Sequence, residues 1–369
     1  MSLQILVSPD KFKGTLTARQ AAEAMARGWR KSRPQDKLEL LPMTDGGDGF
    51  GEIISGLFHA KVQLVMTVDA AHRPCRAQWW WEPRSKTAVI ESAGVIGLAG
   101  LPPKKFHPFE LDTFGLGAVV RAAAEKDALR CLIGIGGSAT NDAGFGLARA
   151  LGWNFLDRRG NQITRWTQLD LLATVESPRR TRWFAKLIVA VDVRNPLLGT
   201  RGCSRVFGPQ KGLAPVDFPH AEACLRRSAA VMKQRLHRDL AREPGAGAAG
   251  GLGFGLACFL GAQLRPGFEL FARKSKLNQH LRRADLVITG EGMMDASTFM
   301  GKGAGEIARR CLKLRIPCIG LAGQITSHRE KLFAAQNSLT ELTSLENARQ
   351  RAAHWLERLA AQVAKNWPA

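Results

Sequence analysis

No run of about 18 or more apolar residues occurs in this chain, so no segment reads as a membrane span. Cysteine is sparse: Cys75, Cys131, Cys203, Cys224, Cys258, Cys311 and Cys318 are scattered, odd in number and form no CxxC. That excludes a disulfide framework and a zinc site of the usual spacing, and the histidines show no metal-ligand spacing either. The opening residues, MSLQILVSPDKFKG, place no basic segment before an apolar one and offer no small-residue cleavage site, so no signal peptide is expected. A reduced, cytoplasmic setting fits these absences. Acidic residues are in deficit as well, 32 against 53 basic, for a net charge of +21. Such a field attracts polyanions and anionic small molecules. The basic residues are dispersed through Arg179–Lys186, Arg273–Arg283 and Arg309–Arg315, and no homeodomain, zinc-finger, RRM or KH pattern accompanies them. Nucleic acid is therefore not the expected partner, although binding of a polyanion stays open as a second function. The triple tryptophan Trp79–Trp81 could stack bases, but its setting between Ala77 and Lys86–Ile90 reads as a half-buried strand.

What is present is a globular composition, 45% apolar and 23% charged over 369 residues, enough for two domains. The 38 glycines follow no short repeat, which indicates tight loops. Six short apolar runs read as strands: Leu3–Val7, Leu38–Leu41, Cys131–Ile135, Leu187–Val191, Asp285–Thr289 and Cys318–Leu321. Helical patterns follow several of them, with Ala repeated through Thr17–Trp29 and Phe145, Ala148 and Leu151 on one face of Asn141–Leu151. Strands alternating with helices predict an α/β fold with a mainly parallel sheet. Two stretches differ in texture: Val62–Leu111 is strand-like and tryptophan-rich, and Pro196–Lys276 is loop- and glycine-rich. They are expected to form a second, inserted domain of residues 62–111 and 196–276, leaving 1–61, 112–195 and 277–369 as the first.

Ligands of open parallel sheets bind beyond the carboxyl ends of the strands. The polar residues comply. Asp10, Lys11, Lys13 and Gly14 follow the first run, "TDGGDG" with Asp45, Gly46, Gly47 and Asp48 the second, and Ser138, Thr140, Asn141 and Asp142 the third. Asp192, Arg194 and Asn195 follow the fourth run, with Lys211 further on; Glu291, Asp295, Ser297, Thr298 and Lys302 follow the fifth; Gly323 and Gln324 the sixth.

Each motif also reads as a capped turn with solvated charges. Gly134, Gly136 and Ala139 fit G-x-G-x-x-A, with Asp157 beyond, but the polar residues at the helix start are wrong for a pyrophosphate. Hydrogen bonding of a small polar substrate or phosphate by Ser138, Thr140 and Asn141 is the functional alternative, with Asp142 as a helix cap. Asp45 and Asp48 lack EF-hand spacing. No G-x-x-x-x-G-K-[ST] is present, because Ala296 stands five before Gly301 and Gly303 follows Lys302. Carboxylates, lysines and glycine loops, with no nucleophilic triad order and no metal histidines, suit phosphoryl transfer, which needs positioning, charge neutralisation and a carboxylate near the acceptor hydroxyl.

Assembled, the stretches resemble the bacterial two-domain glycerate kinase family from end to end: "SPDKFKGTLTA", "TDGGDG", "TAVIESAGVIGL", "IGIGGSATNDAGFGLARALG", "VDVRNPLLG", "VFGPQKG", "GAGAAGGLGFGLACFLGA" and "ADLVITGEG". The resemblance implies a discontinuous Rossmann-like, doubly wound, mainly parallel six-stranded sheet with an inserted second α/β domain. It implies an ATP-dependent kinase acting on an alcohol group of D-glycerate, with magnesium, and phosphoglycerate as product, 2-phosphoglycerate being favoured. On the matching positions, Asp192 or Asp295 would take the hydroxyl proton. Asp45 and Glu291 would help hold magnesium, and Lys13, Lys211 and Lys302 would neutralise anionic charge. Asp10, Gly46, Gly47, Ser138, Thr140, Asn141, Asn195 and Thr298 complete the substrate- and phosphate-binding set. The chain departs from the family pattern at Lys11, Asp48, Ala118, Met293, Ser297 and Thr298. Oligomeric state is not legible in the sequence, a homodimer being one arrangement open to it.

Overall fold

The computed structural model describes residues 2–299, 303–326 and 331–368. Its strands are, in chain order, β1 (Gln4–Val7), β2 (Lys37–Leu40), β3 (Lys61–Val68), β4 (Pro74–Glu82), β5 (Thr87–Glu91), β6 (Arg130–Gly134) and β7 (Asn154–Leu156). Then come β8 (Thr174–Glu176), β9 (Lys186–Val191), β10 (Gln263–Pro266), β11 (Leu286–Met294), β12 (Cys318–Ile325) and β13 (Ala335–Ser338). The chain divides into two compact units, Met1–Asp45 with Phe268–Ala369, and Gly46–Gly267.

The first unit holds a five-stranded parallel sheet in the order β13-β12-β11-β1-β2. Its central strands are buried on both faces, which is why Leu3–Val7 and Asp285–Thr289 read as continuous apolar runs rather than alternating ones. The helix Ala18–Ser32 begins with a Thr17–Gln20 capping box. It buries Ala21, Ala22, Met25 and Trp29 in a core shared with β1, β11, β12 and the helix Ala352–Asn366.

The second unit holds a six-stranded sheet in the order β10-β9-β6-β5-β4-β3. β5, β6, β9 and β10 run parallel, while β3 and β4 form an antiparallel extension. Trp79 and Trp80 of β4 are 1% and 8% exposed, so the triple tryptophan is a core feature. A further small pair, β7 and β8, packs Phe155 and Val175 into the same core.

All six apolar runs are strands, but they divide between two sheets. Cys131–Ile135 and Leu187–Val191 do not join β1; as β6 and β9 they pair with each other, with β5 on the far side of β6 and β10 on the far side of β9. Residues 46–61 and 112–195, expected with the termini, thus lie in the second unit. The reason is that strands buried on both faces have the same apolar texture in either sheet, so the pattern marks them as interior without naming their neighbours. Residues 196–276 are also more helical than their glycines suggested, with helices Cys203–Lys211, Phe218–Leu236 and Ala248–Leu260. Among the described residues no helix is long and apolar enough to cross a membrane.

Candidate active site

In the first unit, the carboxyl ends of β1, β2 and β11 gather the expected polar residues. The backbone after β1 is held in place from both sides: Asp10 N–H donates to Gly290 O at 2.8 Å, and Met43 N–H to Pro9 O at 3.0 Å. Thr289 Oγ1 and Ser8 Oγ add bonds to Ser8 O and Leu41 O. These bonds fix Asp10 where the charges of Asp45 and Glu291 reach it. Burial, and next the Asp45 charge, push the Asp10 carboxyl well above the usual carboxylate range; Glu291 adds to this, and Lys11 opposes it. Lys11 Nζ lies 3.9 Å from Asp45 Oδ1. Lys13 is exposed on the turn closed by Phe12 and Leu16. Asp295 is half-buried at the end of β11 and opens the turn Ala296–Phe299. Thr298, expected to bind substrate, is fully buried, as Thr140 and Asn141 are, and its Oγ1 accepts from Asp295 N–H at 3.1 Å. Its hydroxyl shapes the turn that presents Asp295. Lys302 lies outside the described residues.

In the second unit the loop after β6 is almost entirely buried. Thr140 N–H donates to Ser138 Oγ at 3.1 Å, and the two hydroxyls lie 3.0 Å apart. Lys211 Nζ, on the last turn of its helix, donates to Thr140 O at 2.7 Å. Asn141 Nδ2 donates to Ser204 Oγ at 2.9 Å, and its Oδ1 is buried without a hydrogen-bond partner among the described residues. Asp142 is the cap expected of it: Oδ2 accepts from Thr113 N–H, Thr113 Oγ1 and Gly146 N–H at 2.7–2.9 Å. Even so, burial first and the Asp112 charge second hold its carboxyl up near a pKa of about 6. The helix it caps is shorter than the periodicity predicts, Phe145–Ala150 rather than Asn141–Leu151. Residues 141–144 are spent on the loop, where Ala143 and Gly144 take left-handed conformations.

Asp192 follows β9 directly, near enough to Lys211 for its charge to favour the ammonium. Burial dominates, however, and brings Lys211 down to about 8 from the usual 10.5. Because the folded pKa is below the unfolded one, the unfolded chain holds more protons between these values. The cost of burying this ammonium is therefore present below pH 8 and is relieved as pH rises towards 10.5. Asn195 Nδ2 donates to Arg201 O at 2.8 Å, which ties its own loop together.

Gly46 and Gly47 lie buried against neighbouring backbone: Gly46 O accepts from Gly136 N–H at 3.1 Å, and a Cβ on Gly136 would sit 2.5 Å from Gly47 Cα. The helix Phe50–Phe58 does not offer its first N–H groups to a phosphate. Glu91 takes them, with Gly49 and Gly51 N–H both at 2.8 Å from its carboxylate. Glu91 falls within "TAVIESAGVIGL", where its place at the end of a strand is the local mark of this role. Ser204 was missed because nothing local marks it as the partner of Asn141.

Comparison with known proteins accounts for the pattern. A model of the glycerate kinase family matches residues 5–368. The chain belongs to the glycerate kinase family. It is 35% identical to a glycerate kinase of Halalkalibacterium halodurans over 98% of this chain and 97% of that one. It is also 35% identical to the glycerate 2-kinase of Escherichia coli K12, over 94% and 93%. A crystal structure of a candidate glycerate kinase 2 from Salmonella typhimurium LT2 matches with a TM-score of 0.82 at 34% identity, covering 99% of this chain and 98% of that one. The family match runs through both units and includes the stretches "SPDKFKG", "TDGGDG" and "GGSATNDAGFG" that follow strand ends.

Proposed function

We propose that the protein is an ATP-dependent kinase that transfers the γ-phosphoryl group to a hydroxyl of D-glycerate, with 2-phosphoglycerate the favoured product. The observation that carries this reading is the end-to-end match to relatives named glycerate kinase and glycerate 2-kinase. Phosphoryl transfer asks the protein mainly for positioning and charge. Asp192 accepts the proton of the attacking hydroxyl, with Asp295 the second carboxylate in line for that role. Lys211 and Lys13 meet anionic oxygens of substrate and nucleotide, as Lys302 does in the same reading. Ser138, Thr140 and Asn141 orient the small polar substrate, and the buried Asn141 Oδ1 has an acceptor position for a substrate hydroxyl.

Magnesium suits the first unit's residues. Asp10 is raised partly by the charges of Asp45 and Glu291, and a divalent cation beside those two would relieve that repulsion. Two hard carboxylates are the donor set this ion favours, the remainder being water and phosphate oxygen. Among the described residues no group of three or more metal-ligating side chains gathers. Asp45 and Glu291 would hold the ion, which when bound draws charge from the phosphate oxygens.

The test is incubation with D-glycerate, ATP and magnesium, read by phosphorus NMR. A phosphoglycerate resonance is expected, and its position names the hydroxyl attacked; folded protein that yields no phosphorylated product overturns the reading. The pH profile provides a second prediction. The ammonium of Lys211 is lost around pH 8, so kcat/KM for glycerate is expected to fall above that pH. Lys211→Arg, whose charge persists, moves the alkaline limb upward. An unshifted limb in that variant, with activity retained, removes Lys211 from the anion-binding set.

A further inference from the structure

The basic run Arg179–Lys186 plays no part in the proposed reaction, and its later residues line a cleft in the second unit. The cleft measures about 480 Å³, within the size range of small-molecule sites. Arg182 and Lys186 line it from the run, and Arg235 lines it from the last turn of the helix Phe218–Leu236. No carboxylate is among its lining residues. Nor do Arg179, Arg180, Arg182, Lys186 or Arg235 form an ion pair among the described residues, whereas Lys233, Arg238 and Arg242 pair with Asp239 or Glu243. Two helices, Phe218–Leu236 and Ala248–Leu260, end at the cleft, and their carbonyl ends carry about half a negative charge each. Three full positive charges outweigh them.

Arg235 is set in place by the fold itself. Its guanidinium donates to Val175 O at 2.9 Å and to Ser177 Oγ at 3.1 Å, and lies 5.7 Å from the centre of the Trp153 ring. The inner wall is apolar, with Phe184, Leu187, Phe259 and Leu260 all buried. Trp153 joins them at 4% exposed, and its indole N–H is buried without a hydrogen-bond partner among the described residues. An orphan donor of this kind costs stability until an acceptor reaches it. Cations, an unused donor and an apolar wall together define a ligand that is both anionic and organic. We propose that this cleft binds a small organic polyanion, one that carries carboxylate or phosphate groups on a compact apolar body. The site is separate from the catalytic edge. Lys186 and Gln263 open the parallel strands β9 and β10, so the cleft lies at their amino ends, whereas Asp192 follows the carboxyl end of β9. At about 3.3 Å per residue, roughly 20 Å separates Lys186 from Asp192 along that strand.

Benzene-1,3,5-tricarboxylate is the probe, since it sets three carboxylates around an apolar ring. Calorimetric titration of the full chain, without magnesium or nucleotide, is expected to show one saturable site, with inorganic phosphate binding at least tenfold more weakly. Arg182→Gln/Lys186→Gln is expected to weaken the probe at least tenfold at an unchanged melting temperature, because both side chains are exposed. Arg349→Gln/Lys365→Gln removes the same charge from exposed positions of the first unit and should leave the affinity as it was. Nuclear magnetic resonance gives a readout independent of these variants: the indole N–H resonance of Trp153, assigned through Trp153→Phe, should shift during the titration. Equal weakening in the two double variants would mean that only the net charge of +21 attracts the probe, and the proposal would fall. The absence of a saturable site, an affinity unchanged in Arg182→Gln/Lys186→Gln, or an unmoved Trp153 resonance likewise overturns it.

Discussion

Asp192→Asn is expected to lower kcat by roughly a hundred- to ten-thousand-fold while leaving KM for glycerate nearly unchanged, the loss typical of a deleted general base. The amide keeps the size and most of the hydrogen bonding of the carboxylate but cannot take a proton. Asp192 follows the last residue of β9, and its negative charge favours the buried Lys211 ammonium. The carboxylate thus shares the field of a buried cation that Thr140 O holds in place. Steady-state kinetics on protein with a native circular dichroism spectrum decides the matter. If Asp192→Asn retains full activity and Asp295→Asn is inactive, the base is Asp295. If both variants are fully active, neither carboxylate accepts the proton.

A second large effect is expected at a residue with no polar side chain. Gly250→Ala should destabilise the second unit by about 3 kcal/mol or more, a melting-temperature drop of roughly 6–12 °C. Ala249, Gly250 and Gly251 are consecutive left-handed residues that begin the helix Ala248–Leu260 out of line with its remainder. At Gly250, φ is +67°, and an added Cβ would lie 1.9 Å from Thr140 O and 2.7 Å from Asn141 Cα. No rotamer relieves a clash between a Cβ and a backbone carbonyl, so the loop 138–144 must move. Thr140 O accepts the Lys211 ammonium, and activity should fall with stability. Gly160→Ala is the control: φ is +81°, but nothing lies within 4 Å, so only the conformational cost of about 1 kcal/mol applies. Thermal melts of equal depth for both variants would show that the close approach contributes nothing.

Asp142 illustrates how far local pattern carries. Its position at a helix start beside Ser, Thr and Asn marked it as a cap, and the cap is there. The same carboxylate also binds Thr113, twenty-nine residues earlier, which no local pattern indicates. Thr298 shows the converse. By sequence it is one more hydroxyl in a polar loop; its complete burial and its bond to Asp295 N–H make it part of the turn. Glycine was equally ambiguous. Gly46 and Gly47 belong by sequence to a phosphate-binding set, yet just after them Glu91 of the neighbouring strand occupies the N–H groups of Gly49 and Gly51.

The amino-acid sequence alone determined the α/β class, six strands of which five are interior, the family motifs and the collection of polar residues after strand ends, because hydrophobic periodicity, capping and turn chemistry are local. Only the tertiary structure decided which strands share a sheet, which of those polar residues are consumed by the scaffold, and that Arg182, Lys186 and Arg235 line one cleft at the amino ends of β9 and β10. Strand partners and burial depend on contacts between residues far apart in the chain, and doubly buried strands carry the same apolar signature whichever sheet receives them.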